Sequence, residues 1–374
     1  TLFDPQIDLL PDADAGTPRT GDAAISAAII DLLGRDRRHE LRSLRIERGT
    51  LRSGGQTWMS NLALKLTGGV NSDLRLSATG LHLGQPLLVK ADVAPVSARE
   101  RRPVRTTIVA PAFTASFDGV LFGPRSLDAE GRLDVAIVDG SAIARRLALP
   151  EAHASLLDGL TASGTARFTW PSIQVRDARI ERGQTRLDGS IEATFQGGRT
   201  ALAATLDAQR FDVTSALAPL VAAAADQEGR WSAEPLARGW LNAGALDLRL
   251  STGQLIVGAA TIENAALSLQ LGGGRMDLAL SDGRLRGGTV KGRLSLIDAP
   301  DSRMELRLQG SCDRLDIAHV ASLAGLQRMR GLANGQASLK AAGASVAALV
   351  AGVEGRMEAA VRDGELPGFD LDRL

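Results

Sequence analysis

The sequence predicts a mainly β protein, in which an elongated, curled antiparallel sheet forms a taco-like repeating β-groove crossed by a few short helices. Between residues 245 and 308, leucine and methionine alternate with polar or small residues, the period-two pattern of a strand with one apolar face. Glycines stand between these runs, where hairpins need positive φ. The pattern of Arg45–Arg52 also returns at Arg179–Arg186, as expected of a sheet that reuses one type of hairpin unit.

Residues 1–140 are predicted to be the N-terminal portion of the groove. Residues 1–20 are expected to be extended, and a helix capped by Asp22 and ended by Gly34 follows. Strands are then predicted by alternating apolar residues at Leu44 and Ile46, Leu62 to Leu66, Leu74 and Leu76, Leu87 to Val93, Phe113 to Phe117, and Leu133 to Ile137. A solvated loop is predicted where basic residues surround Pro103, namely Arg99, Arg101, Arg102 and Arg105.

Residues 141–240 are predicted to combine strands with short helices. Ser141–Leu149 is expected to form one helix. The Ala-rich residues 212–225 are expected to form a second, because Leu217, Leu220 and Val221 have helical spacing. Residues 228–240 are expected to be irregular. The strands between the two helices are indicated by alternation at Ala166 to Trp170, Ile173 and Val175, Leu187 to Phe195, and Leu202 to Leu206.

Residues 241–374 are predicted to be the C-terminal portion of the groove, continuous with the rest of the sheet. Turns are expected at Gly272–Gly274, Asp282–Gly283 and Gly287–Gly288. A helix over 316–326 and another from Ser345 to Gly352 are expected before a final hairpin that turns at 363–364. The residues expected to line the groove are Leu246, Leu248, Leu250, Leu267, Leu269, Leu271, Met276, Leu278, Leu280, Leu294, Leu296, Met304, Leu306 and Leu308.

The alternation fits two arrangements of this apolar face. The face could be the closed core of a β-sandwich, or it could stay open along a curled sheet as a path for an apolar ligand. Both arrangements produce the same period-two pattern.

The amino-acid composition argues against several classes of function. Hydrophobic residues make up 44% of the chain, but only 3% is aromatic and there is no Tyr, so the apolar surface is aliphatic. The 43 basic and 43 acidic residues balance, which argues against a nucleic-acid partner. The four histidines are scattered and Cys312 is the only cysteine, so we expect neither a metal site, a cofactor nor a disulfide.

No sequence motif indicates catalysis or a membrane span. There is no Gly-x-Ser-x-Gly elbow and no Gly-Lys pair of a phosphate-binding loop. No run of about 18 apolar residues occurs. We therefore expect a protein that is not an enzyme. The chain begins without Met, and we expect it to be part of a longer protein whose membrane segment lies outside it.

The last 130 or so residues resemble the C-terminal region of the AsmA family of bacterial envelope proteins. The resemblance is carried by an ordered set of segments: 246–251, 265–269, 285–296, Gly335–Leu339, Gly343–Leu349, Gly355–Met357 and Val361–Leu371. Members of this family are similar to TamB-like bridge-like lipid-transfer proteins.

The resemblance implies a periplasmic location, an inner-membrane tether and a lipid-binding groove for traffic between the inner and outer membranes. It implies a phospholipid or other membrane lipid as partner, envelope proteins as possible further partners, and no catalytic residue. The alternative is a structural scaffold for outer-membrane protein assembly, with its apolar face fully covered. An enzyme is the third possibility, and it would require titratable groups clustered in a cleft.

Overall fold

Strands dominate the computed structural model of the chain, at 74% of the residues that it describes. The structure describes residues 1–9, 43–53, 56–68, 72–95, 101–122, 128–146, 154, 156–196, 199–225, 228–242, 244–299, 303–317 and 330–365. These residues contain twenty strands that belong to one open, curled sheet, with a few short helices. The predicted fold class is confirmed.

The chain divides into two compact units. In the first, β1 and β2 both pair in parallel with β3, and β3 to β11 then pair antiparallel, each with the next. Its strands are β1 (Leu2–Phe3), β2 (Gln6–Leu9), β3 (Ser43–Ser53), β4 (Gln56–Thr67), β5 (Leu74–His82), β6 (Gln85–Val93), β7 (Arg101–Ala110), β8 (Phe113–Phe122), β9 (Asp128–Ile137), β10 (Thr161–Thr169) and β11 (Ser172–Arg182).

The second unit is an antiparallel meander in which each strand from β14 to β20 pairs with the next. The boundary between the units falls within β12 (Thr185–Gln196) and β13 (Arg199–Asp212). The strands of the meander are β14 (Ala245–Val257), β15 (Ala260–Gly272), β16 (Arg275–Leu285), β17 (Gly288–Asp298), β18 (Met304–Asp316), β19 (Arg330–Gly343) and β20 (Glu354–Glu365).

Three predicted helices are confirmed: α1 (Gly140–Arg146), α2 (Thr214–Ala224) and α3 (Val346–Ala351). The Ser345 hydroxyl accepts a hydrogen bond from the Ala348 amide at 3.2 Å, so it caps α3 as expected. The irregular stretch 228–240 runs into a 3₁₀ turn at Gly239–Asn242. The helix predicted after Asp22 and most of the helix predicted over 316–326 lie outside the described residues.

The solvated loop predicted around Pro103 is wrong, because Arg101, Arg102 and Arg105 lie in β7; Arg99 lies outside the described residues. Pro103 is tolerated within β7. Its carbonyl accepts a hydrogen bond from the Ala94 amide, on the side of the strand that faces β6. The Pro103 nitrogen, which has no hydrogen to donate, faces the same side. It lies just beyond the last residue pair between β6 and β7, Val93 with Val104, so no pair of the two strands loses a hydrogen bond. Arg102 is 5% exposed and donates to the Ala94 carbonyl, and this burial lowers the pKa of its guanidinium.

Two predicted turns are also wrong, since Asp282–Gly283 lies inside β16 and 363–364 lies inside β20. At Gly283 the strand register shifts, and a Cβ there would come within 2.6 Å of Ile262 Cγ2. Close packing against the neighbouring strand, not a hairpin, explains this glycine.

The recurring segments likewise adopt different structures. Arg45–Arg52 lies within β3, whereas Arg179–Arg186 crosses the turn between β11 and β12. The prediction that both are hairpin units of one type is therefore wrong.

Bulges bend the strands of each unit. Five strands each hold one non-glycine residue in the left-handed region where the register of a neighbouring pair shifts. A bulge bends its strand and increases the local twist, which accounts for the curl of the sheet. The five residues are Arg48, Asn61, Asp177, Asn264 and Arg314.

Candidate functional site

An unbroken row of leucines crosses the second unit at right angles to its strands. Directly opposed residues of an antiparallel pair share a face, and the register opposes one leucine from each strand between β14 and β19. This central leucine row consists of Leu248, Leu269, Leu278, Leu294, Leu308 and Leu339, and it reaches Gly355 on β20.

Two further rows flank the central leucine row on the same face, and we call the three together the apolar lane. One contains Leu246, Leu271, Met276, Leu296, Leu306 and Ala341. The other contains Leu250, Leu267, Leu280, Gly292, Gly310, Ala337 and Met357. Met304 lies on the same face beyond the first row, opposite Asp298 and Gly343. The register thus brings all fourteen predicted residues to one face, and it adds Leu339, Ala341 and Met357.

Exposure distinguishes an open lane from a closed core. Of the fourteen predicted residues, only Leu250 and Met304 are buried, at 5% and 3% exposure. Leu308 is 38% exposed, and the other eleven are partly exposed. Leucines at the centre of a closed sandwich would be buried on both sides. The lane is therefore an open apolar surface.

A strap formed by residues 232–242 closes one rim of the lane. Its Leu236 amide donates to the Ala344 carbonyl at 2.9 Å. Arg238 Nη1 donates to Asp298 Oδ1 at 2.6 Å, in an ion pair whose side chains are 31% and 22% exposed. At the far end, the carbonyl of the fully buried Leu241 accepts from the Gly274 amide at 3.2 Å. The strap thus joins the ends of strands from β15 to β19.

The family comparison matches this same part of the chain. The model of the AsmA family matches residues 196–374, which include β13 to β20 and therefore the whole lane and strap. The chain is AsmA-like across this region. The match begins before the predicted boundary at residue 241, so the resemblance extends further towards the N-terminus than the sequence motifs indicated. No curated protein and no solved structure matches the chain.

The opposite face of the AsmA-like region is polar. Asp277 accepts hydrogen bonds from Arg275 Nε at 2.5 Å and Ser295 Oγ at 2.6 Å, and Arg293 Nη2 lies 3.4 Å away. These contacts hold the pKa of Asp277 well below its usual range. The largest cause is the hydrogen bond from Arg275, and the hydrogen bond from Ser295 and the charges of Arg275 and Arg293 add to it. The AsmA-like region therefore has one aliphatic face and one charged face.

The first unit has an apolar row of its own. The register opposes one apolar residue from each of nine consecutive strands, β3 to β11. These residues are Ile46, Leu64, Ala78, Val89, Ile108, Ala115, Val135, Ala162 and Ile180. Only Ile46 and Ala78 of this row are buried. The sequence analysis had identified most of these strands but had not named this row as a candidate site.

Residues that could bind a metal are scattered through the part of the chain that the structure describes. No group of three or more potential metal ligands occurs among them. His82 makes a structural contact, since its Nδ1 lies 2.6 Å from the Trp58 carbonyl oxygen and its ring 4.8 Å from the Trp58 ring. None of the described helices has the length and apolarity needed to cross a membrane. The apolar lane remains the candidate site.

Proposed function

We propose that the protein shields lipid acyl chains on its apolar faces, as a periplasmic lipid-binding and lipid-transfer protein acting between the inner and outer membranes. The observation that carries this proposal is the central leucine row, which is continuous across six strands and open to solvent. The AsmA match supports a place in the cell envelope. The proposed role is not enzymatic, because the lane offers contact surface and no reactive group.

The dimensions of the lane suit an acyl chain. Strands lie about 4.8 Å apart and alternate residues about 6.7 Å apart along a strand, so the three rows cover roughly 13 by 24 Å from β14 to β19. The lane therefore covers roughly 300 Å², the size of the largest apolar patch on a typical soluble monomer, and such patches are often functional. Exposing an acyl chain to water costs about 0.8 kcal/mol per methylene, or about 13 kcal/mol for ~16 carbons. A continuous aliphatic surface removes much of that barrier.

The chemistry of the lane favours movement over storage. Its three rows contain only Leu, Met, Ala and Gly, so no aromatic ring or hydrogen-bonding side chain fixes a lipid in one position. Neighbouring positions along a row offer nearly equal contacts. A bound chain can therefore shift from strand to strand with a small change in free energy.

The rival function is a scaffold with a covered apolar face. That arrangement requires a second layer over the leucines, whereas eleven of the fourteen predicted residues are partly exposed and Leu308 is 38% exposed. The open lane favours lipid binding over the scaffold.

Photocrosslinking tests the proposal with a matched pair of neighbouring residues. A benzophenone amino acid replaces Leu248, in the central leucine row, or Arg249, which points to the opposite face of the same strand. We expect crosslinks to diacyl lipids from residue 248 and few or none from residue 249 when the chain is expressed in a bacterial envelope. Equal labelling from both positions, or labelling from neither, would contradict the proposal.

A further inference from the structure

The polar face of the second unit carries a concavity. It is an open cavity of about 560 Å³ over β16 to β20, within the range of sites that hold small ligands. Most of its side chains alternate with those of the apolar lane and therefore point away from it. Four residues of one lane row, Leu280, Gly292, Gly310 and Ala337, also border the cavity, and none of them carries a polar side chain.

The register arranges the polar lining in two rows. The first row runs Lys291, Ser311, Gln336, Glu358, and the second runs Arg293, Gln309, Ser338, Arg356. Cations thus stand on the two outer strands, β17 and β20, while the strands between them carry hydroxyl and amide groups. The outer strands are three strand spacings apart, about 14 Å.

The lining is positively charged in a chain with no net charge. Three cations and one carboxylate give a formal charge of +2, and the Glu358 carboxylate already accepts from Gln336 Nε2 at 3.0 Å. Nearby cations of the same face are neutralised, since Arg307 lies 3.2 Å from Glu305 and Lys340 lies 3.1 Å from Glu354.

The cations of the cavity differ from those neighbours. Among the described residues, no carboxylate lies within 4.0 Å of Lys291 or Arg356. Arg293 contacts Asp277 through Nη2 at 3.4 Å, and its Nε and Nη1 have no hydrogen-bond partner among the described residues. Guanidinium groups match the oxygen atoms of phosphate in pairs, while Ser311, Ser338 and Gln309 can bond to hydroxyl groups.

We propose that this cavity binds a phosphate-bearing polyol, with anionic groups near both outer strands and hydroxyl groups over β18 and β19. A sugar phosphate and the phosphoglycerol headgroup of a lipid share this chemistry. The charged and hydrogen-bonding side chains of the site all lie on the opposite face from the apolar lane, so its binding of a polyol phosphate can be measured without an acyl chain in the lane.

Isothermal titration of the chain with fructose 1,6-bisphosphate, fructose 6-phosphate and fructose tests the charge arrangement. We expect affinity to fall in that order, because each step removes one phosphate. The double variant K291Q/R356Q should weaken bisphosphate binding by about tenfold or more, since two charge-assisted contacts are lost. The matched double variant R307Q/K340Q removes the same charge from the same face and should change binding by less than about twofold, because both its cations are already paired.

Equal weakening in the two double variants would overturn the proposal, since it would indicate a general effect of charge. The proposal would also be overturned if the bisphosphate showed no detectable binding at millimolar concentration, or if fructose bound with the same affinity as the bisphosphate. Competition by phosphatidylglycerol vesicles, but not phosphatidylcholine vesicles, would assign the natural ligand to a lipid headgroup, and its absence would assign it to a soluble sugar phosphate. L269D, which alters only the lane, should leave the titration unchanged.

Discussion

Leu269→Asp places a carboxylate at the centre of the apolar lane. Leu269 lies in β15 between Leu248 and Leu278, and its side chain is partly exposed. Full burial of a leucine is worth about 1.5–3 kcal/mol, so the half-buried side chain contributes roughly 1 kcal/mol. Because the lane is open, the new carboxylate can keep much of its water, and we expect a total loss of about 2 kcal/mol of unfolding free energy.

The effect on lipid is expected to be larger than the effect on folding. An acyl chain that covers the carboxylate must strip its water, at a cost of a few kcal/mol, so lipid occupancy should fall by about tenfold or more. Transfer of a fluorescent diacyl lipid between vesicles measures this loss, and urea titration followed by circular dichroism measures stability. Ser268→Asp is the matched control, because Ser268 is the adjacent residue, faces the polar side and lies opposite Arg249.

We expect Ser268→Asp to retain both stability and lipid transfer. If Leu269→Asp instead lost more than about 4 kcal/mol of stability, Leu269 would belong to a closed core. If both variants transferred lipid at the rate of the unaltered chain, the lane would not be the lipid path.

Three further perturbations test parts of the structure. Gly131→Ala should lower the unfolding free energy by about 1–3 kcal/mol, because the new Cβ would collide with the Asp118 carbonyl and the backbone of the facing strand. Gly292→Ala is the control, since its Cβ would meet only the Gln309 carbonyl, at 3.6 Å. The same urea titration should find Gly292→Ala nearly neutral. Asp277→Asn should lower the unfolding free energy at pH 7, because a carboxyl with a lowered pKa stabilises the fold while it is ionised. The stability difference between the variant and the unaltered chain should shrink as pH falls below about 4. A stability difference that stayed constant down to about pH 2 would count against the contacts assigned to Asp277. Arg238→Gln should speed hydrogen exchange across the strap, since it breaks the half-buried pair with Asp298; unchanged exchange there would mean that the pair does not hold the rim.

The apolar face could be predicted from sequence because strand alternation is local. Each run, such as Leu246 to Leu250, assigns its own side chains to one face regardless of its neighbours. Register is not local, and it was register that aligned Leu339 of β19 with the predicted leucines. The openness of the face could not be predicted either, since a covered and an uncovered sheet have the same pattern.

The incorrect predictions have a common physical cause. Proline and Asp-Gly pairs are typical of loops and turns, yet Pro103 and Gly283 lie inside strands. Proline is tolerated where no ladder partner needs its N–H, and glycine is required where a neighbouring side chain leaves no room for Cβ. Both conditions depend on the neighbouring strand, which a single segment of sequence does not specify.

The strap and the bulges were missed for a similar reason. Residues 232–242 have no periodic pattern, and their order comes from bonds to distant positions such as Asp298 and Gly274. The bulge residues include Arg48 and Arg314, which have no intrinsic preference for the left-handed region.

Native mass spectrometry with lipid extraction, applied to the chain purified from a bacterial envelope, tests the central claim most directly. We predict that diacyl lipids copurify with the chain and are lost from Leu269→Asp but retained by Ser268→Asp. A folded, lipid-free chain that also fails to take up a fluorescent lipid would contradict the proposal and favour the scaffold.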